Sequence, residues 1–211
     1  MFNITKEELA AGVKAADDGL EVFHFKNAVA ENPSWDEFFE HLDYETNNQG
    51  PIKAMTGDPK SERTINGLIL KNLFYMAGVF NKREIFKNLK PFIEFTSSAL
   101  GTDVSPVTSF VTLISGDQSD PHHDCRKTLF WQCKGETTFW HLESSDRDQQ
   151  GKPGNIKGEY IVSPGDLIYL GWEVPHNVWV TGPRAGITFD LWEDSMEAHP
   201  YPGQEYNRGN Q

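Results

Sequence analysis

The chain has 211 residues, with 19 Lys and Arg against 31 Asp and Glu, for a formal net charge of −12 at neutral pH. Duplex binding depends on neutralising phosphates with clustered Lys and Arg, so this balance argues against a nucleic-acid partner. With 37% hydrophobic residues, 12% aromatics and 14 Phe, the chain can bury a core, and its length suits one domain over residues 1–211.

The opening Met1–Glu8 has neither a basic leader nor an apolar run, and no window approaches the roughly 18 apolar residues of a membrane span. A soluble, cytoplasmic protein is expected. Cys125 and Cys133 are too few for a disulfide framework and lack C-x-x-C spacing, so both are expected to be reduced and structural.

In chain order, Thr5-Lys6-Glu7-Glu8 carries a capping-box signature and predicts a helix over about residues 6–16. Leu20–Phe25 alternates as a half-buried strand does. Ser34 predicts the cap of a helix from Trp35 to Leu42. Residues 47–62 are rich in Gly, Pro, Asn, Asp and Ser and are expected to form a loop. Over 67–100, Leu68, Leu70, Leu73 and Phe74, then Ile85, Phe86, Leu89, Phe92, Ile93 and Phe95, fall at helical spacing and predict two or three helices.

From Val104 the period changes to two. Strands are predicted at Ser109–Ser115, Arg126–Cys133, Thr137–Leu142, Gly158–Val162, Leu167–Leu170, Asn177–Val180 and Gly186–Trp192. Short strands separated by turns indicate a mainly β barrel or jelly roll with flanking helices. The chain thus divides into a mostly helical N-terminal support with one or two strands (1–103), a β core (104–192) and a polar tail (193–211), which is expected to be a lid or frayed.

The chemistry concentrates in Pro121-His122-His123-Asp124. On a strand, His122 and Asp124 would project from one face about 6.6 Å apart, close enough to share an ion. Far along the chain, Pro175-His176-Asn177 follows the strand-like Leu167–Leu170 and the turn Ser163-Pro164-Gly165-Asp166. Two imidazoles and one carboxylate form the facial set that binds ferrous iron and leaves positions open for a chelating cosubstrate and O2. An isolated H-x-D pair is common by chance. The ordered set is not.

The run His122-His123-Asp124-Cys125-Arg126-Lys127-Thr128-Leu129-Phe130-Trp131-Gln132-Cys133-Lys134-Gly135, followed by Trp140, resembles the ferrous, 2-oxoglutarate-dependent oxygenases of the JmjC and cupin-like hydroxylase group. Ser163–Leu170 up to His176 is similar to that group's approach to its distal histidine, and Ile187–Trp192 to its closing strand. The resemblance covers about residues 104–192. It implies a double-stranded β-helix, Fe(II) held by His122, Asp124 and His176, and 2-oxoglutarate as cosubstrate. It also implies decarboxylation to succinate coupled to hydroxylation of a C–H bond.

JmjC-type asparaginyl hydroxylases carry a lysine two residues after the hairpin glycine to hold the far carboxylate of 2-oxoglutarate. Here Gly135 is followed by Glu136 and Thr137. A buried dicarboxylate still needs a cation. Arg184 is the candidate, because Arg184–Thr188 is similar to the closing strand of prolyl hydroxylases, whose arginine grips that carboxylate. Alternation puts Arg184, Gly186, Thr188 and Asp190 on one face and Ala185, Ile187, Phe189 and Leu191 on the packed side. Thr128, Thr137 and Thr188 are candidates for cosubstrate contacts. Asp190 and Arg126 are weaker candidates for contacts with substrate. His122, Asp124, Arg126, Thr128, Phe130 and Gln132 are expected to share one strand face, with Cys125, Leu129, Trp131 and Cys133 on the other.

His123 is expected to be structural, and His24, His41, His141 and His199 to be ordinary. The tryptophans are expected in the core or at the rim. The substrate expectation is a protein side chain or a small amino-acid-like molecule, drawn from basic partners by the negative charge. A halogenase is disfavoured because Asp124 is present. Two other readings fit the same residues: a cupin-type metalloenzyme that uses no 2-oxoglutarate, such as an isomerase or another dioxygenase, and a non-catalytic cupin-like binding module. Asp124 and Arg184 favour the oxygenase over the first, and the intact triad favours it over the second.

Overall fold

In the computed structural model, which describes residues 1–47, 52–53, 73–77, 85–113, 115–117, 121–145 and 154–192, the signals at the N-terminus become a capped helix. Helix α1, Lys6–Ala15, starts at Thr5, whose amide donates to Glu8 Oε2 (2.8 Å) while the Glu8 amide donates to Thr5 Oγ1 (3.1 Å). It runs into a turn, Ala16–Leu20, kinked at Gly19, and the chain then enters strand β1, Val22–Phe25. Helix α2, Trp35–Asn47, carries a second capping box between Ser34 and Glu37 and extends past the expected end at Leu42.

Two short strands follow, β2 (Ile52–Lys53) and β3 (Leu73–Ala77), then helix α3, Leu89–Leu100. Leu73 and Phe74, expected on a helix, lie instead on β3, which pairs antiparallel with β4. A five-residue apolar run satisfies either period, and the open edge of a neighbouring strand decides between them. Residues 67–72 and 78–84 lie outside the described residues, as does all of the loop expected at 47–62 except residue 47 and β2.

The remaining strands are β4 (Asp103–Thr112), β5 (Gly116–Asp117), β6 (Thr128–Lys134), β7 (Thr137–Leu142), β8 (Ile156–Val162), β9 (Leu167–Leu170), β10 (His176–Val180) and β11 (Arg184–Trp192). They form a seven-stranded sheet in the order β1-β9-β6-β11-β4-β3-β2 and a four-stranded sheet in the order β5-β10-β7-β8. Successive strands from β4 onward alternate between the sheets, except for the β7–β8 hairpin. That winding is a double-stranded β-helix. The N-terminal strands β1, β2 and β3 join its larger sheet and so form part of the barrel wall.

Each sheet face has its own core. On the outer face of the large sheet, Leu129, Trp131, Cys133, Ala185, Ile187 and Phe189 pack against Leu9, Val13, Phe38, Leu89 and Phe92 from the three helices. Between the sheets lie Phe130, Phe139, Val162, Ile168, Val174 and Val178. Side chains alternate along β6 and β11 as the sequence predicts. The turn into β9 is fixed by Asp166, which accepts from the Ser163 amide (2.9 Å) and the Asn27 amide (2.6 Å) and meets His24 Nε2 at 2.9 Å. Gly165 has φ +93°, and a Cβ there would lie 2.5 Å from the Val29 carbonyl oxygen. No helix among the described residues is long and apolar enough to cross a membrane. The tail expected at 193–211 lies outside the described residues.

Phe92 is fully buried and stacks on Trp131 and Phe189, with ring centroids 4.5 Å from each. Phe92→Ala is therefore predicted to cost about 3–5 kcal/mol of stability, read from the midpoint of urea unfolding.

Candidate metal centre and anion anchor

Two distant stretches of chain meet through their backbones. His122 N–H donates to the His176 carbonyl (3.0 Å), and His176 N–H donates to the His122 carbonyl (2.7 Å). This isolated antiparallel bridge sets the imidazoles side by side, with ring centroids 4.3 Å apart. Ligand atoms of His122, Asp124 and His176 all lie within 4.8 Å of one another. His176 Nε2 and Asp124 Oδ2 are 4.0 Å apart.

The expected strand face through His122, Asp124 and Arg126 is not what brings them together. Strand β6 begins only at Thr128, and residues 123–127 are irregular. The alternation of side chains holds from Thr128 onward, and Cys125 is exposed and unpaired with Cys133. The isolated bridge between His122 and His176 holds this stretch outside the regular ladder. His123 is exposed, away from the cluster.

His176 Nδ1 lies 3.0 Å from the Val174 carbonyl, to which it can donate, and that tautomer leaves Nε2 bare toward Asp124 and His122. Burial, with His122 close by, pulls the His176 imidazole down to about 4, against a smaller upward pull from Asp124. The ring is thus uncharged at neutral pH, the form that ligates a metal. The Thr128 hydroxyl sits 3.5 Å from Asp124 Oδ2. The donor set of two imidazoles and one carboxylate fits a ferrous ion with open positions.

Arg184 opens β11 on the inward face, as expected. It is only 3% exposed, and its Nε has no hydrogen-bond partner among the described residues. Its guanidinium carbon lies 5.4 Å from the centroid of the Phe110 ring and 5.7 Å from that of Phe130. Rings continue from there toward the histidines: Phe130 to Phe139 at 5.2 Å, and Phe139 to His176 at 6.4 Å. Burial lowers the guanidinium to about 9, so it stays charged at neutral pH. No described carboxylate pairs with it.

Such a group is costly to bury alone, and a dicarboxylate entering the barrel would supply the missing counter-charge. Gly186, two residues on, makes room: a Cβ there would lie 2.3 Å from the Phe130 ring. Buried Thr137 Oγ1 and Gln132 Oε1 also lack partners among the described residues, while Thr188 shares Arg184's face and is partly buried.

Arg126 and Asp190, the candidates for substrate contacts, are paired with each other at 3.0 Å and almost wholly buried. Asp190, expected to be available to a substrate cation, already has its carboxylate engaged by Arg126. Burial pushes the Asp190 carboxyl up to about 6, against the opposing pull of Arg126.

Sequence reasoning assigns no role to His141 or Glu21. His141 is directly opposite His176 in the β7–β10 ladder, and its Nε2 lies 2.8 Å from Glu21 Oε2. No local motif announces a contact between residues so far apart in the chain.

No protein-family model matches the sequence, and no curated protein matches it. Among solved structures, the chain is similar to the ribosomal oxygenase YcfD of Escherichia coli, with 14% identity and a TM-score of 0.45 over 57% of this chain and 32% of that one. The same protein in complex with cobalt and 2-oxoglutarate matches with 16% identity and a TM-score of 0.43, again over 57% and 32%. A cupin superfamily protein from Desulfitobacterium hafniense DCB-2 matches with 12% identity and a TM-score of 0.33, over 43% of this chain and 68% of that one. The match thus spans about a third of the length of the Escherichia coli oxygenase.

The buried charges make two behaviours measurable. Arg184→Met is expected to raise the stability of the ligand-free protein by about 1 kcal/mol or more in thermal unfolding, because an unpaired buried charge is removed. Between about pH 4 and pH 6 the folded protein keeps a proton on Asp190 that the unfolded chain has released. This group therefore makes stability fall as pH rises through that window, and Asp190→Asn is expected to flatten that stretch of the pH–stability curve.

Proposed function

We propose that this protein is an Fe(II)- and 2-oxoglutarate-dependent dioxygenase that hydroxylates a C–H bond of a protein side chain or a small amino-acid-like molecule. The observation that carries the proposal is the coincidence, in one barrel, of a two-histidine, one-carboxylate cluster with a buried arginine that no described carboxylate pairs with.

In this proposal His122, Asp124 and His176 hold the metal, with His176 oriented through Val174 and Asp124 steadied by Thr128. Bound there, the iron and its cosubstrate supply oxidative decarboxylation, giving succinate and carbon dioxide, with O2 as oxidant and hydroxylation of the substrate. Arg184 would take the far carboxylate of 2-oxoglutarate, and Thr137 and Thr188 would offer hydroxyls to it. Phe110, Phe130 and Phe139 keep water from the space between arginine and metal, which strengthens the charge pairing. Arg126 and Asp190, already paired, wall the metal end of β11. A net charge of −12 favours cationic substrates through long-range attraction, and the proposed setting is the cytoplasm.

Purified protein supplied with Fe(II), 2-oxoglutarate, ascorbate and O2 is expected to release succinate, and His122→Ala and Asp124→Ala to reduce release to background. Arg184→Met is expected to abolish the rise in melting temperature that 2-oxoglutarate gives the metal-loaded wild type, a rise equivalent to about 2.7 kcal/mol at 100 times Kd. Metal-loaded wild type that neither binds 2-oxoglutarate nor forms succinate would overturn the assignment. A product gain of 16 Da in cell extracts would identify the substrate.

A further inference from the structure

The turn Ala16–Leu20 that follows α1 leaves helical geometry at Gly19 (φ +130°) and is closed by the Glu21 amide, which donates to the Ala16 carbonyl at 2.9 Å. It brings Asp17 and Glu21 to the metal end of the barrel, where each touches a stretch that carries or flanks a ligand. Asp17 Oδ2 pairs with Lys127 Nζ at 2.9 Å, three residues after Asp124, and Asp17 Oδ1 accepts from the Tyr169 hydroxyl at 2.7 Å. Glu21 Oε2 accepts from Lys157 Nζ at 2.5 Å and lies 2.8 Å from His141 Nε2, close but outside hydrogen-bond geometry. The Glu21 carbonyl accepts from the Gly171 amide at 2.8 Å, at the head of the loop that leads to His176.

Directly opposed residues in an antiparallel ladder project to the same face with Cβ atoms about 5 Å apart, so His141 flanks His176 inside the barrel. Phe139, two residues before His141, marks the same face by its contact with the His176 ring. Glu21 itself holds φ at +66°, a conformation that costs energy for a residue other than glycine and persists where surrounding contacts enforce it.

We infer that Asp17 and Glu21 are positioning residues for the metal centre. Asp17 fixes the exit of the His122–Asp124 loop through Lys127, and Glu21 holds the loop before His176 through its carbonyl and abuts, through its carboxylate, the imidazole that flanks it. This rests on the proposal that His122, Asp124 and His176 bind a metal. The role is distinct from holding the fold together: the buried core on α1 and the outer face of the large sheet does that without these two side chains.

The test is a titration of the full-length, metal-free protein with Co(II) under anaerobic conditions, following the ligand-field absorption, with thermal unfolding of each metal-free variant alongside. Glu21→Ala keeps the strained backbone, since alanine and glutamate are equally disfavoured at that φ, but frees His141 and Lys157. It is expected to weaken Co(II) binding roughly 10-fold and to shift the absorption bands, the scale typical of losing an outer support of a metal ligand. Asp17→Asn is expected to act in the same direction by a smaller factor. Glu8→Ala breaks the capping box at the far end of the same helix; it should lower the melting temperature while leaving Co(II) affinity and spectrum unchanged.

Wild-type affinity and spectrum in both Glu21→Ala and Asp17→Asn would overturn the inference. So would an equal loss of affinity in Glu8→Ala, which would reduce the effect to general stability. Wild type that takes up no Co(II) would overturn the metal assignment and this inference with it. Uptake by wild type that His176→Ala abolishes upholds the metal assignment, so that a failure of the Asp17 and Glu21 variants to respond then counts against the positioning role alone.

Discussion

The site depends on two backbone hydrogen bonds exchanged between His122 and His176. They do what no side chain could do alone, locking a loop that enters β6 against the first residue of β10, a strand in the other sheet. Once that bridge forms, the separation of the two imidazoles is set by the geometry of an antiparallel pair, and Asp124 needs only a short turn of chain to join them. The ligands therefore sit at a junction between the sheets, where the ladder of the barrel gives way to irregular chain. Regular strand would have placed alternate side chains on a flat face; the departure from it lets three groups converge.

The other half of the site is an electrostatic imbalance. Proteins seldom bury a guanidinium without a carboxylate, yet Arg184 sits among phenylalanine rings with a bare Nε, while a few residues along the same strand Asp190 is matched by Arg126. Strand β11 thus carries toward one end a carboxylate paired with Arg126 and at the other a guanidinium with no described carboxylate beside it. The contrast sets a paired buried charge against one with no described carboxylate beside it, and the proposed role of Arg184 as an anion anchor rests on that difference.

Much of this is open to a reader of the sequence, for definite physical reasons. Strong local rules govern the capping boxes at Thr5 and Ser34, the alternation along β6 and β11, and the inward placement of Arg184, so those elements lie where expected. The triad is legible through residue type and order, although its geometry comes from an irregular loop and a bridge, not from an H-x-D strand face. What cannot be read is decided by tertiary context. Leu73–Ala77 becomes a strand because β4 offers it an edge, and Arg126, in the irregular chain before β6, loses its freedom because Asp190 approaches from β11. Glu21 and His141 meet only once β1 and β7 are brought to one end of the barrel.

The two sheets are clad unequally. Three helices cover the outside of the larger one, whereas the smaller one leaves Trp179, Ile156 and Ile161 substantially exposed to water. Backbone amides in β6 and β11 should accordingly exchange their hydrogens far more slowly than those in β8 and β10. Arg184 belongs to the stiff wall and His176 to the pliant one, so any molecule that spans from one to the other acts as a splint, and its arrival would be felt chiefly as a quieting of the thinner sheet.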